Sequence, residues 1–414
     1  MIKQAVILAA GESSRFSPLS AYRHKAEIPL LGKSLVQHTV DNLQKIGIEK
    51  VIIVHSPDRR PQLFAHECEL KFVVLEQPTG MGDALLAAAE FLEDKYFVLH
   101  PYHFAGVPFM KKMLKTSKGS EGCLLVTDPV EDKSGGLATV KDDDITKVEE
   151  TIYKGGDNKK YVLGIYLLTK AYTDILLRTK THHYSFETAL DLYARQHKLS
   201  WFQVEDYSVS LKYPWDLFKI KDSLLRTAKK RIAKTAKIDE TAVIDGNVIV
   251  EENAKIGSYA VIRGPAYIGR NVRVGDHALV RNLTTLEEGS MVGGSAEVKN
   301  SIVLEESHIQ GYLADSIVGQ EVRIAHGFVS ANRRIDRCTI SVEVKKKKMD
   351  TKFFAMGCII GDNVYTGINV ATMPGVVIGA DSVIGPRTTV FRDIPPNTRY
   401  YQKAESHTEK IIKK

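Results

Sequence analysis

The chain has 414 residues, of which 43% are hydrophobic and 26% are charged, which allows a sizeable core and more than one domain. The formal net charge of +7 is spread along the chain, apart from lysines at 345–348 and a basic tail ending at Lys413 and Lys414, so we expect no nucleic-acid binding. The four cysteines lack the paired spacing of zinc sites and the apolar run 5–10 is too short to span a membrane, which favours a cytoplasmic protein without a membrane partner.

The first half of the chain alternates between strand-like and helix-like segments. An apolar, β-branched run at 5–9 predicts a central parallel strand, and a turn at Gly11 follows it. The next elements predicted in chain order are a helix at 35–46, a strand at 50–55, a helix at 82–92 and a strand at 95–100. A strand that ends in a glycine turn exposes backbone N–H groups at the carboxyl edge of the sheet, where phosphates usually bind.

A helix is predicted next, at 215–231. Its apolar residues Leu217, Ile220, Leu224 and Leu225 have helical spacing. A solenoid needs its ends covered, and a repeat begins directly after this segment. We therefore expect the helix to be a linker that packs against the first coil of the following domain.

A six-residue repeat begins at Ile232 and continues to Leu304. The aliphatic positions are Ile232, Ile238, Ile244, Val250, Ile256, Ile262, Ile268, Val274, Val280, Leu286, Val292, Val298 and Leu304. Neither a helix nor an isolated strand has a period of six, so the repeat predicts a hexapeptide β-helix. Alanine often stands two positions before the aliphatic residue, where a tight corner needs a small side chain. The phase breaks at Gln310 and resumes at Ile360, and the polar segment 333–356 predicts a loop that leaves the coil.

Three segments of the sequence resemble the sugar-1-phosphate nucleotidyltransferase family. Residues 8–15, with Lys25 and the run 29–35, look like the family signature, and 76–84 resembles its second nucleotide-binding segment. Residues 361–375 are similar to β-helix domains of the bifunctional N-acetylglucosamine-1-phosphate uridylyltransferase type. The resemblance implies a Rossmann-like α/β nucleotidyltransferase domain at 1–214, a linker helix at 215–231, a left-handed parallel β-helix at 232–402 and a charged tail at 403–414.

The family resemblance also implies site residues. In this family a sugar 1-phosphate attacks the α-phosphorus of a nucleoside triphosphate and displaces pyrophosphate, which requires backbone donors, cations and usually Mg²⁺. Arg15 and Lys25 correspond to the catalytic cations, and Glu150 and Gly164 to the sugar-binding residues. The implied nucleotide-binding residues are Leu8, Ala10, Gly11, Gln77, Gly80 and Gly82. The family glutamine that pairs with the base usually falls nearer Leu75, so the base stays open between uracil and thymine.

The metal ligands of the family are not found. Tyr102 or His103 stands where the first metal aspartate is expected, and Ser210 stands at the second position. Mg²⁺ prefers carboxylate oxygens, which neither replacement supplies. A family lysine after the sugar-binding glutamate is also replaced, by Thr151.

The second activity of the bifunctional enzymes, acetyl transfer in the β-helix, is not expected. Tyr312 and Asn332 match positions that hold the acetyl acceptor. Ile309 stands at the position of the general-base histidine, with His308 adjacent. Cys338 and Ser341 stand at the positions where two lysines are expected.

Two functions from different classes stay open. The first is transfer of a nucleotide from UTP or dTTP to a hexose 1-phosphate. The second is a non-catalytic paralogue that binds a nucleotide or nucleotide sugar and acts as a sensor or regulatory partner. A purely structural solenoid would not need Arg15 and Lys25 near the glycine turn. In each case we expect a homo-oligomer, a trimer formed through the β-helix.

Overall fold

The computed structural model describes residues 2–131, 134–205 and 211–408. Contacts group the described residues into two compact units. The first comprises those of Met1–Ser13, Arg23–Ile28 and Lys33–Leu211, and the second those of Ser14–Tyr22, Pro29–Gly32 and Lys212–Lys414.

The first unit is an α/β domain. Its helices are α1 (Leu35–Lys45), α2 (Met81–Ala87), α3 (Val107–Thr116), α4 (Lys170–Arg178) and α5 (Ser185–Gln196), and α6 (Asp216–Thr227) belongs to the second unit. The strands before α6 are β1 (Gln4–Ala9), β2 (Pro29–Leu30), β3 (Lys33–Ser34), β4 (Lys50–His55), β5 (Glu69–Val74), β6 (Lys95–Leu99), β7 (Gly122–Thr127), β8 (Ser134–Lys141), β9 (Asp144–Ile152), β10 (Lys159–Thr169) and β11 (Leu199–Gln203). Short 3₁₀ helices lie at Ser14–Phe16, Lys25–Glu27, Ala89–Phe91 and Phe104–Gly106.

The sheet of the first unit has the order β5-β4-β1-β6-β10-β7-β11-β9-β8. Strands β5, β4, β1 and β6 are parallel, and β10 runs antiparallel to β6. Apolar residues of β1 are buried on both faces of the sheet, since Val6 belongs to one core cluster and Ile7 to the other. This confirms the predicted α/β class, and it places the carboxyl ends of β1 and β6 side by side.

The predicted helices differ from the observed ones mainly at their ends. Helix α1 begins where predicted, because the Ser34 hydroxyl accepts a hydrogen bond from the Gln37 N–H at 3.2 Å and caps it. The prediction of one continuous helix at 82–92 was wrong. Its α-helical part ends at Ala87, and the Ala88 N–H donates to the Leu85 carbonyl at 3.0 Å, the tighter bonding that leads into a 3₁₀ turn.

The second unit contains the left-handed parallel β-helix. Its strands are β12 (Arg231–Ile232), β13 (Lys237–Ile238), β14 (Val243–Asp245), β15 (Val248–Val250), β16 (Lys255–Ile256), β17 (Val261–Arg263), β18 (Ala266–Ile268), β19 (Arg273–Val274), β20 (Leu279–Arg281), β21 (Thr284–Leu286), β22 (Met291–Val292), β23 (Glu297–Lys299) and β24 (Ile302–Val303). The later strands are β25 (His308–Ala314), β26 (Ile317–Val318), β27 (Arg323–Ser330), β28 (Ser341–Val344), β29 (Lys347–Asp350), β30 (Ile359–Ile360), β31 (Tyr365–Thr366), β32 (Ala371–Thr372), β33 (Val377–Ile378), β34 (Val383–Ile384), β35 (Thr389–Val390) and β36 (Arg399–Tyr400).

The strand register confirms the hexapeptide period. Ile232 pairs with Val250, and Val250 pairs with Ile268, so one coil contains 18 residues, or three hexapeptides. From Val250 to Val298 the aliphatic residues of the series point inward and form one continuous core cluster, against which the partly buried Ile238 and Ile244 pack. Ile232, at the start of the series, is exposed, and Leu304, at its end, lies outside the cluster. The corner alanines Ala254 and Ala260 are fully inaccessible, whereas Ala236 and Ala242, in the first coil, are partly buried.

The regular register ends earlier than predicted. Leu286 pairs with Val303 rather than Leu304, so the shortening of the coil precedes the predicted break at Gln310. The predicted loop at 333–356 does leave the coil, and it carries the antiparallel hairpin of β28 and β29. Ile317 consequently pairs with Ile359, a step of 42 residues.

Helix α6 packs along a side face of the β-helix. The Asn247 amide donates to the Ala228 carbonyl at 2.6 Å near the first coil, and the buried Lys221 ammonium donates to Asn300 Oδ1 at 2.7 Å several coils later. The predicted contact with the first coil is therefore part of a longer one. Within the described ranges, none of the helices is long and apolar enough to cross a membrane.

Candidate functional site

The loop after β1 lies at the carboxyl edge of the first unit's sheet. Leu8 and Ala10 are buried, whereas Gly11 is exposed, and a Cβ at Gly11 would meet no atom within 4 Å. The Gly11 backbone is close enough to the His24 imidazole for a hydrogen-bonding interaction, so the loop lies beside the segment that carries Lys25. The fold therefore brings the predicted nucleotide-binding turn and the predicted catalytic lysine together.

The 3₁₀ helix Lys25–Glu27 is fixed by a capping box. His24 Nδ1 accepts from the Ala26 N–H at 3.2 Å, while the His24 N–H donates to Glu27 Oε2 at 3.0 Å. Burial lowers the pKa of His24 to about 3, and the nearby charge of Lys25 acts in the same direction. His24 is therefore neutral at physiological pH, as its accepting role requires.

Lys25 is half-buried between the β1 loop and the end of β6. Its ammonium donates to the Leu211 carbonyl at 2.9 Å and lies 5.1 Å from the centroid of the Tyr102 ring. An ammonium donates hydrogen bonds and attracts the face of an aromatic ring, so these two contacts hold Lys25 in place beside the Gly11 loop.

Three aromatic side chains follow β6. The rings of His100 and Tyr102 stack with centroids 5.4 Å apart, and the Tyr102 and His103 centroids are 4.9 Å apart. Gly164 of β10 faces them with φ +73°, and a Cβ there would lie 2.9 Å from His103 Nε2. Close packing and a left-handed backbone both require glycine at this position.

Both histidines after β6 are uncharged at neutral pH. Burial lowers the pKa of His100 to about 4, and Lys25 contributes to the shift. Burial, followed by His100, holds the pKa of His103 well below its ordinary value. The end of β6 therefore presents neutral rings beside one cation.

This donor set does not fit Mg²⁺. Among residues 2–131, 134–205 and 211–408, no group of three or more His, Cys, Asp or Glu side chains is placed to hold a metal ion. Ser210, at the second predicted ligand position, lies outside the described residues. Asp216 accepts from the backbone N–H groups of Lys212 and Tyr213 at 2.8 and 3.0 Å and so fixes the segment that leads into α6. Hard cations such as Mg²⁺ require oxygen ligands that this cluster does not offer.

The two glycines expected to contact a base, Gly80 and Gly82, pack closely against the protein itself, and their contact with a base stays a prediction. A Cβ at Gly80 would overlap the His183 carbonyl, and one at Gly82 would overlap the Ser185 hydroxyl. In this structure the absence of a Cβ at both glycines lets the backbone lie close to the start of α5 and the residues just before it. Gln77 is exposed, and its predicted pairing with a pyrimidine stays a prediction.

The predicted sugar residues lie on two strands. Glu150 is exposed near the end of β9, opposite Gly136 of β8, and Gly164 lies in the part of β10 where the register against β7 shifts. A Cβ at Gly136 would lie 3.6 Å from Glu150 Oε2. The buried Tyr166 hydroxyl is within electrostatic range of Glu150 and Tyr102, which connects this region to the end of β6.

Sequence reasoning missed Glu187. It lies in the first turn of α5, where an acidic residue ordinarily indicates a helix start and nothing more. Burial, with a smaller contribution from the charge of Glu150, raises the pKa of Glu187 to about 7. Its Oε2 atom is buried without a hydrogen-bond partner in the described structure. Only the fold shows that this carboxyl faces Glu150.

Arg15, the second predicted catalytic cation, is exposed in the 3₁₀ helix Ser14–Phe16, which groups with the second unit. Its role at the triphosphate stays a prediction.

The two residues matching acetyl-acceptor positions have other contacts. The Asn332 amide donates to Asp315, a nearly buried carboxylate that also accepts from Asn300 Nδ2 at 2.6 Å and Lys299 Nζ at 3.2 Å. Tyr312 is half-buried on an outward position of β25. Asn332 is thus part of a structural network within the second unit.

Comparisons with known proteins match both units. A family model described as nucleotidyl transferase matches residues 4–215, and one described as bacterial transferase hexapeptide (six repeats) matches 247–282 and 357–392. The chain is 30% identical over 409 residues to the bifunctional protein GlmU of Methanocaldococcus jannaschii, covering 97% of this chain and 98% of the relative.

Two further relatives are also matched over nearly their whole length. GlmU of Methanococcus maripaludis strain C7 is 32% identical over 410 residues, which cover 97% of this chain and 98% of that protein. A bifunctional sugar-1-phosphate nucleotidylyltransferase/acetyltransferase of Sulfurisphaera tokodaii is 28% identical over 400 residues, covering 94% of this chain and 98% of the relative.

Proposed function

Because the chain belongs to the nucleotidyl transferase family, we propose that it is a sugar-1-phosphate nucleotidyltransferase acting on UTP or dTTP and a hexose 1-phosphate. A phosphate oxygen of the sugar attacks the α-phosphorus, the bond from that phosphorus to the bridging oxygen of the β-phosphate breaks, and pyrophosphate leaves. The observation that carries the proposal is the half-buried Lys25 ammonium, held between the Gly11 loop and the end of β6.

The reaction accumulates negative charge on the α-phosphate and the leaving group. Lys25 neutralises this charge, and the exposed backbone around Gly11 donates hydrogen bonds to the phosphates. Arg15 supplies a second cation to the triphosphate. Glu150 and Gly164 bind the sugar, and Gln77 reads the base.

The family generally uses Mg²⁺, which when bound would offset the negative charge of the phosphates. The described residues at the end of β6 do not fit this ion, so no step is assigned to it. Charge-assisted hydrogen bonds from Lys25 need no metal. Nucleotide affinity should therefore depend little on Mg²⁺ through contacts with the protein.

The β-helix serves assembly rather than acetyl transfer. The Asn332 amide donates a hydrogen bond to Asp315, and Ile309 stands at the position of the general base. Its outward faces carry exposed apolar side chains such as Val243 and Val329, which a homotrimer would cover. Light scattering at micromolar concentration should give the trimer mass, and a monomer mass would contradict this assignment.

The experiment that tests the proposed reaction is a pyrophosphate-release assay with each nucleotide and several hexose 1-phosphates, with and without added Mg²⁺. Calorimetric titration of the nucleotides and nucleotide sugars should accompany it. Sustained release that depends on both substrates is expected. Nucleotide binding without release would overturn the enzymatic proposal and favour a sensor or regulatory protein.

A further inference from the structure

His24 is a buried residue of the first unit that has no role in the proposed reaction. Its side chain is polar, yet the residue is only 2% exposed. The Nδ1 atom accepts from the Ala26 N–H at 3.2 Å, so this nitrogen carries no proton. Burial and the charges of Lys25 and Arg59 lower the pKa of His24 to about 3, which keeps the ring neutral. A neutral imidazole has one N–H group, and in His24 this group is therefore Nε2–H.

The Nε2–H group of His24 faces the turn at Gly11. The Nε2 atom is buried and, among the residues that the structure describes, makes no hydrogen bond of regular geometry. Burial lowers the pKa of His24, whereas the Gly11 backbone acts in the opposite direction. An acceptor beside an imidazole favours the protonated ring, so the nearby group is the Gly11 carbonyl. A buried donor without a full partner costs free energy, and a bond to this carbonyl removes that cost.

The turn at 11–13 depends on contacts with the segment that carries Lys25. Gly11 and Glu12 are exposed, and Ser13 has a φ of +56°, which is unfavourable for a residue with a Cβ. The Ser13 hydroxyl accepts from the Lys25 N–H at 3.4 Å, which is a long hydrogen bond. Such a turn keeps one conformation only if the surrounding structure holds it, and His24 supplies a second contact from the same segment.

The peptide between Gly11 and Glu12 connects His24 to the exposed side of the turn. This peptide is trans, so its C=O and N–H groups point in opposite directions. A Gly11 carbonyl that is held toward the buried ring therefore directs the Glu12 N–H away from the ring, where a phosphate can approach. A fixed N–H group binds phosphate more tightly than a mobile one, because less conformational freedom is lost on binding.

We propose that the Nε2–H group of His24 binds the Gly11 carbonyl and thereby positions the Glu12 N–H as a donor to a nucleotide phosphate. The identity of the ligand rests on the proposed nucleotidyl transfer. His24 is a positioning residue, since it acts through the Gly11 peptide and does not contact the phosphate itself.

Two variants separate this contact from the cap that His24 provides to the 3₁₀ helix Lys25–Glu27. In His24→Asn the amide oxygen takes the place of Nδ1 and keeps the cap, since asparagine is a favourable N-cap residue, but no atom reaches Gly11. In His24→Gln the amide nitrogen takes the place of Nε2 and can donate to the Gly11 carbonyl, while the cap is lost. If His24 were only structural, glutamine would be the more damaging replacement.

Calorimetric titration with UTP and with inorganic triphosphate measures phosphate binding. His24→Asn should weaken the binding of both ligands at least about tenfold, the effect of losing one charge-assisted hydrogen bond, with an unchanged melting temperature. His24→Gln should bind both within about threefold of the wild-type affinity, although it melts at a lower temperature. Inorganic triphosphate has neither base nor sugar, so an equal loss for the two ligands assigns the effect to the phosphates.

Glu27→Ala is the matched control for the cap. It removes the Oε2 acceptor of the His24 N–H, which lies 3.0 Å away, and leaves the imidazole in place. Its affinity for both ligands should stay within about threefold of the wild-type value. A loss as large as that of His24→Asn would assign the effect to the cap and contradict the positioning role.

Limited tryptic cleavage after Arg15 reports on the turn without any ligand. Arg15 lies two residues beyond the turn and directly before the buried Phe16, so cleavage there requires local opening. The rate should rise at least about threefold in His24→Asn and stay unchanged in His24→Gln, because proteolysis follows the population of the open form.

Two further results overturn the inference. One is an unchanged affinity for both ligands in His24→Asn, and the other is weaker binding by His24→Gln than by His24→Asn. Nucleotide binding without pyrophosphate release would refute the proposed reaction and leave the positioning role standing. If the wild-type protein binds neither ligand, the proposed phosphate site fails, and tryptic cleavage decides whether His24 holds the turn. Equal cleavage rates in the wild type and His24→Asn would then contradict it.

Discussion

Replacing Gly164 by alanine should destabilise the first unit through two separable effects. The backbone at Gly164 has φ +73°, which costs a residue with a Cβ about 1 kcal/mol. The new Cβ would also lie 2.9 Å from His103 Nε2 and 3.1 Å from His100 Cδ2, in a cluster already packed by stacked rings. Overpacking of this kind adds about 1–3 kcal/mol, so the total loss in unfolding free energy should be about 2–4 kcal/mol.

Gly155→Ala isolates the backbone effect. Gly155 also has a positive φ, +92°, but a Cβ there would meet no atom within 4 Å. Urea unfolding followed by Trp201 fluorescence in a Trp215→Phe background reports on the first unit, because Trp201 lies in β11. Gly155→Ala should lose only about 1 kcal/mol.

The comparison of the two alanine variants decides whether His100 and His103 pack against Gly164. Equal losses would refute that packing and leave the positive φ as the sole reason for glycine. A double-mutant cycle with His103→Ala gives a second measurement. It should show a coupling of about 1 kcal/mol or more between the two positions, because removal of the ring relieves the new contact.

Three further predictions concern the core, the cation and the histidines. Ile262 is fully buried and pairs with Ile244 and Val280. Ile262→Val should lower the unfolding free energy by about 1 kcal/mol, whereas Ile262→Asp should prevent folding and assembly. A soluble trimeric Ile262→Asp protein would contradict the inward register. Lys25→Ala should lower the rate of pyrophosphate release about 10²-fold or more, while Lys33→Ala, which removes only an exposed ion pair with Asp41, should not. In the folded protein the pKa of His100 is about 4, which is below its unfolded value. The contribution of His100 to the unfolding free energy is therefore fully present above about pH 6.5 and is lost as the pH falls toward 4. A His100→Gln variant should show a flatter pH profile in urea unfolding, and an unchanged profile would disprove the contribution of this group.

The sequence predicts the regular parts of the fold well for physical reasons. The inward positions from Val250 to Val298 follow a period that only a stacked coil produces, and each inward side chain can be recognised at its own position in the sequence. The shortened coil before Val303 was not predicted because aliphatic residues stand at both 303 and 304, and the choice between them depends on strand pairing with Leu286.

The proximity of Gly11 to the segment that carries Lys25 was predictable, because the two residues belong to one local motif and are close in sequence. Their roles at a nucleotide stay predictions. The proximity of Glu150 to Glu187 was not predictable, because it depends on the packing of α5 against β9. The spacing of residues in the sequence does not indicate which helix packs on which strand. Gly80 has a structural reason to be glycine that the sequence does not show, since a Cβ there would overlap the His183 carbonyl, and its predicted role at the base stays a prediction.

The 42-residue step between Ile317 and Ile359 has a consequence for the order in which the β-helix forms during synthesis. In a solenoid each coil needs only the preceding one as a template, so the coils before residue 330 can stack as soon as they leave the ribosome. Growth must then pause until the hairpin of β28 and β29 has been made. Closing a loop of 42 rather than 18 residues adds only about 0.7 kcal/mol of entropy. The insertion therefore delays the last coils in time while barely weakening them, and ribosome-bound chains that end just before residue 359 should already contain a folded stack.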